Sequence, residues 1–249
     1  MTTLETTFDT FKTIRLEEHG TVATITLVAE HSSMKMIREM GTILDHLEDN
    51  SDASIIVLKG QDGRFNLGLD FKEFTPGQAL DIHGFHKWEK MCVRLERMRA
   101  LTISLLSGNT VGGGVQLALC TDLRIAHPSA TFQLPEVKMG FLPGMGIFRV
   151  AKSIGLGRAK QWILQSSSIT ATQALTWGLI NDVSDDLDSA LQSHIEASSP
   201  VNPVAIQLAR RLLNESFHDS FEDAIGHFLA AQQRAISHDQ FLKTVDKHS

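Results

Sequence analysis

The sequence is poor in several features that mark particular classes of protein. Only two of its 249 residues are cysteines, Cys92 and Cys120, and both lie within apolar helical patterns. We therefore interpret them as small buried side chains rather than as a disulfide or a metal-binding pair. No metal site is predicted.

Basic residues are scarce relative to acidic ones. Lys and Arg number 23 against 29 Asp and Glu, which gives a net charge of −6. A protein that binds nucleic acid needs a basic face to neutralise phosphates. We therefore expect no nucleic-acid partner.

Long apolar runs are absent as well. No stretch approaches the ~18 apolar residues of a membrane-spanning helix. The first residues, MTTLETTFDTF, lack the basic segment and the apolar run of a signal peptide. We expect a cytoplasmic protein without a membrane partner. The composition, 42% hydrophobic and 21% charged, is that of an ordinary globular protein.

What is present is a succession of strand and helix patterns. Alternating polar and apolar residues flank a turn at Gly20, and short continuous apolar runs indicate buried strands. Apolar residues three and four apart indicate amphipathic helices. Strands are predicted at residues 13–18, 21–28, 55–58 and 103–106, and helices at residues 36–47, 77–99, 158–165 and much of 203–247.

Three consecutive glycines stand between the apolar run at residues 103–106 and a helical segment at residues 115–119. Gly112, Gly113 and Gly114 let a ligand approach bare backbone, and they remove the penalty on positive φ. The helix after them presents its first unpaired N–H groups to this loop. The arrangement favours a negatively charged oxygen.

A carboxylate returns toward the glycine loop further along the chain. Glu136 follows a strand-like segment at residues 130–133 and precedes a Pro-Gly-Met-Gly turn. A lone carboxylate beside an anion-favouring loop suits proton abstraction next to a carbonyl. Dinucleotide and phosphate-loop motifs do not fit, because the G-x-G-x-x-G order and a following Gly-Lys-Ser/Thr are both missing.

The segment NTVGGGVQLALCTDLRIAHPSATFQLPEVKMGFLPGMG resembles the core signature of the crotonase (enoyl-CoA hydratase/isomerase) superfamily. GRFNLGLDFKEF at residues 63–74 is similar to the family's earlier oxyanion loop, and ITATQALTWGLINDV at residues 169–183 is similar to a later segment. The resemblance implies an α/β fold, a crotonase-like spiral of ββα units with a C-terminal helical trimerisation region. It also implies a catalytic core over residues 1–195 and a helical region over residues 196–249.

The resemblance further implies where the site lies. The backbone N–H groups of Leu69 and Gly113 match the two halves of the family's oxyanion hole. The glycines that precede them, Gly68 and Gly112, are expected to contact the substrate. Asp70, next in the chain, is interpreted as a helix N-cap rather than as a catalytic acid.

Two further positions decide the chemistry that the resemblance implies. Family hydratases hold one water between two glutamates, and the matching residues here are Gln116 and Glu136. Gln116 can hydrogen-bond, but it cannot exchange a proton near neutral pH. One acid/base group is enough to take a proton from one carbon and return it to another. We therefore predict double-bond isomerisation, with Glu136 as the acid/base and Gln116 orienting the substrate or a water.

Other reactions stay open. Carboxymethylproline synthase has Gln and Glu at the same two positions, which keeps carbon–carbon chemistry, by decarboxylation or enolate capture, as an alternative. Hydration or dehydration, in which Gln116 is a passive partner, is another alternative. Across these reactions the enzyme is expected to be an isomerase or a lyase. A non-catalytic family member that acts as a binding subunit is a further alternative.

The resemblance implies an acyl thioester as the substrate, with no separate cofactor. The loop at residues 29–34 contacts coenzyme A in the family, but here it is short and has Glu30 where a base is usual. A thioester on an acyl-carrier protein, as in polyketide biosynthesis, is therefore an alternative to acyl-CoA. The family also implies a homotrimer or a hexamer.

Histidines are the last candidates. His83 and His86 lie three residues apart in the predicted helix at residues 77–99, but a third metal ligand is missing. We predict that they face solvent or line the substrate pocket, where either could bind the acyl group. His227 and His238, in the C-terminal helices, are interpreted as surface or interface residues.

Overall fold

A computed structural model describes residues 7–73, 81–198 and 202–248. The described chain has two β-sheets surrounded by helices. The strands are β1 (Ile14–His19), β2 (Val22–Leu27), β3 (Ile55–Lys59), β4 (Leu101–Leu106), β5 (Asn109–Val111), β6 (Leu123–Ala126), β7 (Thr131–Gln133), β8 (Ser168–Thr170) and β9 (Asp182–Val183).

Helices connect these strands and form the C-terminal part of the described chain. They are α1 (Met34–Asp49), α2 (Ile82–Arg97), α3 (Gly113–Leu119), α4 (Gly146–Ile154), α5 (Leu156–Gln165), α6 (Ala171–Trp177), α7 (Leu187–Ser198), α8 (Pro203–Glu215), α9 (Phe221–Ile236) and α10 (Asp239–His248). Short 3₁₀ turns lie at Thr7–Thr10 and Phe71–Glu73. The α/β class and the predicted elements are confirmed, with shifts at their ends; residue 77, where α2 was expected to begin, lies outside the described residues.

The larger sheet has the strand order β1-β2-β3-β4-β6-β9. β1 and β2 form an antiparallel hairpin, and each later neighbour pairs in parallel. Ile55 and Val57 of β3 join an apolar cluster with α7, whereas Ile56 and Leu58 join the main core with α1 and α2. Because β3 is buried on both faces, its sequence is continuously apolar.

Two helix starts follow from side-chain capping. Ser33 accepts a hydrogen bond from the Met36 N–H at the start of α1. Asn202 accepts one from the Val204 N–H at the start of α8, where Pro203 is the first helical residue. These caps satisfy N–H groups that a helix leaves unpaired, and they fix where α1 and α8 begin.

The smaller sheet brings two distant segments together. β7 pairs in parallel with β5 and antiparallel with β8. Just beyond β5, the Gly112 N–H donates to the Gln133 carbonyl at the end of β7, at 2.9 Å. Gly112 has φ +53°, a left-handed conformation that favours glycine. The chain therefore turns into α3 beside the segment that follows β7, which contains Glu136.

The two cysteines behave as the sequence predicts. Cys92, on α2, and Cys120, directly after α3, are both buried and free. Burial raises the pKa of the Cys92 thiol. Their interpretation as small buried side chains is confirmed.

Helix α8 is bound to the core through Arg210. Arg210 of α8 is buried, donates to the Met98 carbonyl and lies 2.7 Å, Nε to Oδ2, from Asp122.

α7 continues to Ser198, so the boundary expected at residue 195 falls inside a helix. Within the described ranges, the helices lack the length and apolarity needed to cross a bilayer.

Candidate active site

A cavity of about 300 Å³ opens beside the start of α3. Its wall is largely apolar and also contains Gly113 and Gly144. The apolar side chains are those of Leu69, Phe85, Trp88, Phe141, Leu142 and Met145. The polar side chains are those of Glu89, Gln116 and Glu136. The fold therefore brings Leu69, Gly113, Gln116 and Glu136, which the sequence singled out, to one cavity.

The loop at Gly68 and Leu69 is held by Asn66 and Ser32. Asn66 is fully buried, and its Oδ1 accepts from the Gly68 N–H at 2.9 Å and from the Ser32 hydroxyl at 3.0 Å. The Ser32 main chain bonds the Gly68 carbonyl and the Asp70 N–H. The groups on either side of Leu69 are thus fixed, while the Leu69 N–H has no acceptor among the described residues.

The glycine loop before α3 lies directly against this first loop. A Cβ added to Gly68 would lie 3.5 Å from the Gly113 nitrogen, and one added to Gly113 would lie 3.7 Å from the Gly68 Cα. Asn66 joins the two loops, because its carbonyl accepts the Val111 N–H at 2.9 Å. Within the described ranges, the Gly113 N–H also lacks an acceptor. Two such amides on adjoining loops can stabilise a developing oxyanion.

Glu136 lies against the glycine loop. A Cβ added to Gly112 would come within 2.6 Å of Glu136 Oε1, so a larger residue there would displace this carboxylate from its position. Glu136 is 5% exposed, and its Oε2 has no hydrogen-bond partner in the described chain. Burial raises the pKa of Glu136 to about 7, because desolvation disfavours the charged form. Its carboxyl can therefore give or take a proton near neutral pH.

Gln116 is held in one orientation beside the cavity. It is buried, and its Oε1 accepts from Trp88 Nε1 at 3.3 Å. Gly144 and Gly146 pack against the same side chain, which leaves little space for any residue larger than glycine. With its oxygen engaged by Trp88, the Gln116 amide can offer N–H donors but no exchangeable acid proton.

Glu89 is a site residue that sequence reasoning missed. It lines the cavity from α2, and its Oε1 lies 2.5 Å from Nη2 of Arg149, a buried residue on α4. The available signal was the helical spacing of Phe85, Trp88 and Glu89, which places them on one face. The sequence-based prediction for this helix names His83 and His86 instead.

His83 and His86 lie outside the cavity lining. Both are exposed, and the face of α2 that meets the cavity carries Phe85, Trp88 and Glu89. Asp81 caps α2 by accepting the His83 N–H at 2.9 Å, so His83 stands at the helix start. The structure thus does not bring these two histidines to the other predicted site residues.

Asp70 caps a helical turn. Its Oδ1 accepts the Lys72 N–H at 3.0 Å at the start of the 3₁₀ turn Phe71–Glu73. The interpretation of Asp70 as an N-cap is confirmed, and Asp70 is not part of the cavity lining.

Among the described residues, one group of side chains has the proximity required to hold a metal ion. Ligand atoms of Glu215, Asp219 and His227 lie within 4.8 Å of one another. His227 Nδ1 lies 2.8 Å from Asp219 Oδ2, and Glu215 accepts from Arg211 at 3.0 Å. The group thus has protein partners of its own, and its residues do not line the cavity beside α3.

Comparison with known proteins gives consistent matches. Residues 17–248 match the family described as enoyl-CoA hydratase/isomerase. An enoyl-CoA hydratase of Amycolatopsis orientalis is 30% identical over 200 residues, 80% of this chain and 88% of that protein.

Solved structures agree in fold. An enoyl-CoA hydratase of Shewanella pealeana superposes with a TM-score of 0.89 at 24% identity, covering 96% of this chain and 94% of that one. A putative enoyl-CoA hydratase of Thermobifida fusca, solved in complex with acetoacetyl-CoA, has a TM-score of 0.82 at 23% identity and covers 90% and 95%.

Proposed function

Because the chain belongs to the enoyl-CoA hydratase/isomerase family, we propose that it is an acyl-thioester enzyme that moves a carbon–carbon double bond. The observation that carries this proposal is the buried carboxyl of Glu136 beside two adjoining loops, in which the Leu69 and Gly113 amides lack acceptors in the described chain. Burial raises the pKa of Glu136 to about 7, so this one carboxyl can take and return the proton that double-bond migration moves.

The thioester carbonyl binds between the N–H groups of Leu69 and Gly113. Removal of a proton next to the carbonyl moves negative charge onto its oxygen, where these donors stabilise it. Each donor contributes about 3–4 kcal/mol to such a transition state. Asn66 supports the arrangement, because it holds the first loop through its side chain and the second through its carbonyl.

Glu136 moves the proton. Its carboxylate removes a proton from the carbon next to the thioester carbonyl of a β,γ-unsaturated acyl group, and the electron pair passes to the oxyanion. The protonated Glu136 then returns the proton to the γ carbon, which leaves the double bond in the α,β position. Gln116 keeps the substrate oriented and takes no part in proton exchange.

The test uses a β,γ-unsaturated acyl-CoA and its α,β isomer. The wild type is expected to convert the first into the second, and Glu136→Gln is expected to lower kcat by about 100-fold or more. Circular dichroism establishes that the variant is folded. Formation of a hydroxyacyl-CoA from the α,β isomer, with the β,γ isomer left unchanged, would overturn isomerisation.

Hydration is the second candidate, and Glu89 is the observation that favours it. A second carboxylate in the cavity can polarise a water while Glu136 delivers a proton. Relatives such as the Amycolatopsis orientalis protein are named as hydratases. The product analysis above distinguishes the two reactions, since only hydration adds oxygen to the acyl chain.

The thioester carrier and the assembly are also proposals. The segment near residue 30 is acidic, and Glu30 lies 3.9 Å from Arg64, which lowers the positive charge available to coenzyme A phosphates. An acyl-carrier-protein arm therefore remains an alternative to coenzyme A, and kcat/KM for the same acyl group on both carriers decides between them. We assign the exposed apolar residues of α8–α10 to contacts between copies in a homotrimer or hexamer.

A further inference from the structure

We propose that Glu89 determines specificity by selecting acyl chains that carry a hydrogen-bond donor, such as a hydroxyl or an amine, over plain hydrocarbon chains. The inference rests on the proposed function, because it concerns the acyl group of the same thioester. It begins from the fact that the cavity has three polar side chains and the proposed chemistry engages two of them, Glu136 and Gln116.

Arg149 is the ion-pair partner of Glu89. Nη2 of Arg149 lies 2.5 Å from Glu89 Oε1, and Arg149 is 6% exposed. The same guanidinium also bonds Glu96, at 3.0 and 3.2 Å. An ion pair with a guanidinium engages a carboxylate as an acceptor of charge-assisted hydrogen bonds. Glu89 therefore presents acceptor oxygens to the cavity.

One oxygen of Glu89 is available to a ligand. Its Oε2 has no hydrogen-bond partner among the described residues, and the side chain is 25% exposed at the cavity wall. A hydrocarbon chain that covers this oxygen removes its water without replacing the lost hydrogen bonds, whereas a hydroxyl or an amine replaces them. A site of this kind rejects the analogue that lacks the donor.

The position of Glu89 suits the acyl end of the substrate. Trp88, the preceding residue, lies against Gly113, where an added Cβ would come within 3.2 Å of its ring. Glu89 and Met145 also line a second cavity, of about 500 Å³, between α2, α4 and α8. Glu89 therefore lies in the wall that the two cavities share, away from the glycine loop's side of Trp88. Since the first cavity is small for a ligand site, the donor is expected on a short chain.

Glu96 provides a matched control. It bonds the same guanidinium as Glu89 and lines the second cavity but not the first. Glu96→Gln thus disturbs the Arg149 network to a similar degree without altering the first cavity. Any effect confined to Glu89 variants arises from the cavity wall.

The experiment measures binding, so that its outcome is independent of the reaction. Dissociation constants are measured by calorimetry for hexanoyl-CoA and for the analogue in which a hydroxyl replaces the terminal methyl. The wild type and Glu96→Gln are expected to prefer the hydroxyl analogue by about tenfold or more. Glu89→Gln is expected to lose most of this preference, because its amide can bond Arg149 through oxygen and present N–H to the ligand. Glu89→Leu is expected to reverse it.

Equal affinities in the wild type would overturn the inference, and so would a preference that Glu89→Gln retains or that Glu96→Gln also loses. Should Glu89→Leu fail to fold, the isosteric Glu89→Gln decides the question alone. These results leave the proposed function standing if Glu136→Gln still abolishes isomerisation. If the product analysis rules out isomerisation, the binding preference can still be measured.

Discussion

Glu136 illustrates at the level of one residue how burial sets reactivity. Its charged form loses hydration without gaining a hydrogen bond at Oε2 from any described residue, and its pKa rises to about 7. Base and acid forms are then both populated near neutral pH. A group that must take a proton and return it works best under that condition. The same burial lowers the stability of the folded protein when Glu136 is ionised.

The cost can be measured by replacing Glu136 with glutamine. The pKa of Glu136 is raised in the folded protein from 4.5 to about 7, so the folded state binds the proton more tightly than the unfolded chain does. Wild-type stability is therefore expected to fall as pH rises from about 4.5 to about 7, whereas Glu136→Gln lacks this loss. At pH 8 the variant is expected to be more stable by about 1–3 kcal/mol, since one pKa unit corresponds to about 1.4 kcal/mol.

Denaturant unfolding at several pH values checks this expectation. Near pH 4 the two proteins are expected to differ little, because the carboxyl is protonated in both states. A variant less stable than the wild type at pH 8 would show that Glu136 is charged and well bonded in the folded protein.

Among the elements, the loops and strands of the site follow closely from local sequence. Continuous apolar residues predict β3 and β4, and the glycine triplet predicts the turn into α3. The resemblance implied that Leu69, Gly113, Gln116 and Glu136 share one site, and the structure places all four in the lining of one cavity. The raised pKa of Glu136 could not be predicted, because it depends on how fully distant segments cover the carboxyl.

Helix α2 marks the limit of prediction from sequence. Its apolar spacing predicts a helix, but its orientation toward the cavity depends on contacts with α3 and α4. Glu89 and Arg149 are 60 residues apart in the sequence, and Trp88 and Gln116 are 28 apart. No local pattern reports such contacts. For the same reason, His83 and His86 could not be assigned to the exposed surface from their spacing alone.

Substitutions on α2 test whether Trp88 faces the cavity and His86 faces away from it. Trp88→Phe removes the N–H that holds Gln116 Oε1, so the Gln116 amide loses its fixed orientation. We expect kcat to fall about five- to tenfold, near the contribution of one hydrogen bond. His86→Ala, on the exposed face, is expected to leave kcat and KM unchanged. Steady-state kinetics measures both, and a larger loss in His86→Ala than in Trp88→Phe would contradict this orientation of α2.

At the level of the whole molecule, the C-terminal helices expose an apolar surface that a single copy leaves uncovered. On α9 it repeats at helical spacing, through Phe221, Ile225, Phe228 and Leu229, all of them exposed. Large exposed apolar surfaces in soluble proteins commonly mark interaction sites. The sequence indicated assembly only through family resemblance, because in the assembly that we propose the contacts of this surface lie between chains and leave no local pattern.

Charged substitutions test whether this surface joins copies of the protein. Phe221→Glu combined with Phe228→Glu introduces like charges into the surface and is expected to yield monomers. Light scattering after size-exclusion chromatography measures the mass, with the wild type expected as a trimer or hexamer. Glu222→Gln, on the same helix, is the control and is expected to keep the wild-type mass. A monomeric wild type would contradict this role for α9.

Exchange of solvent deuterium into a saturated acyl-CoA tests the central claim most directly, because it requires only the two amides and Glu136. Mass spectrometry follows deuterium entering the carbon next to the thioester carbonyl. The wild type is expected to catalyse exchange, and folded Glu136→Gln is expected to exchange about 100-fold more slowly or not at all. Exchange by Glu136→Gln at the wild-type rate, or no exchange by either protein, would contradict the account.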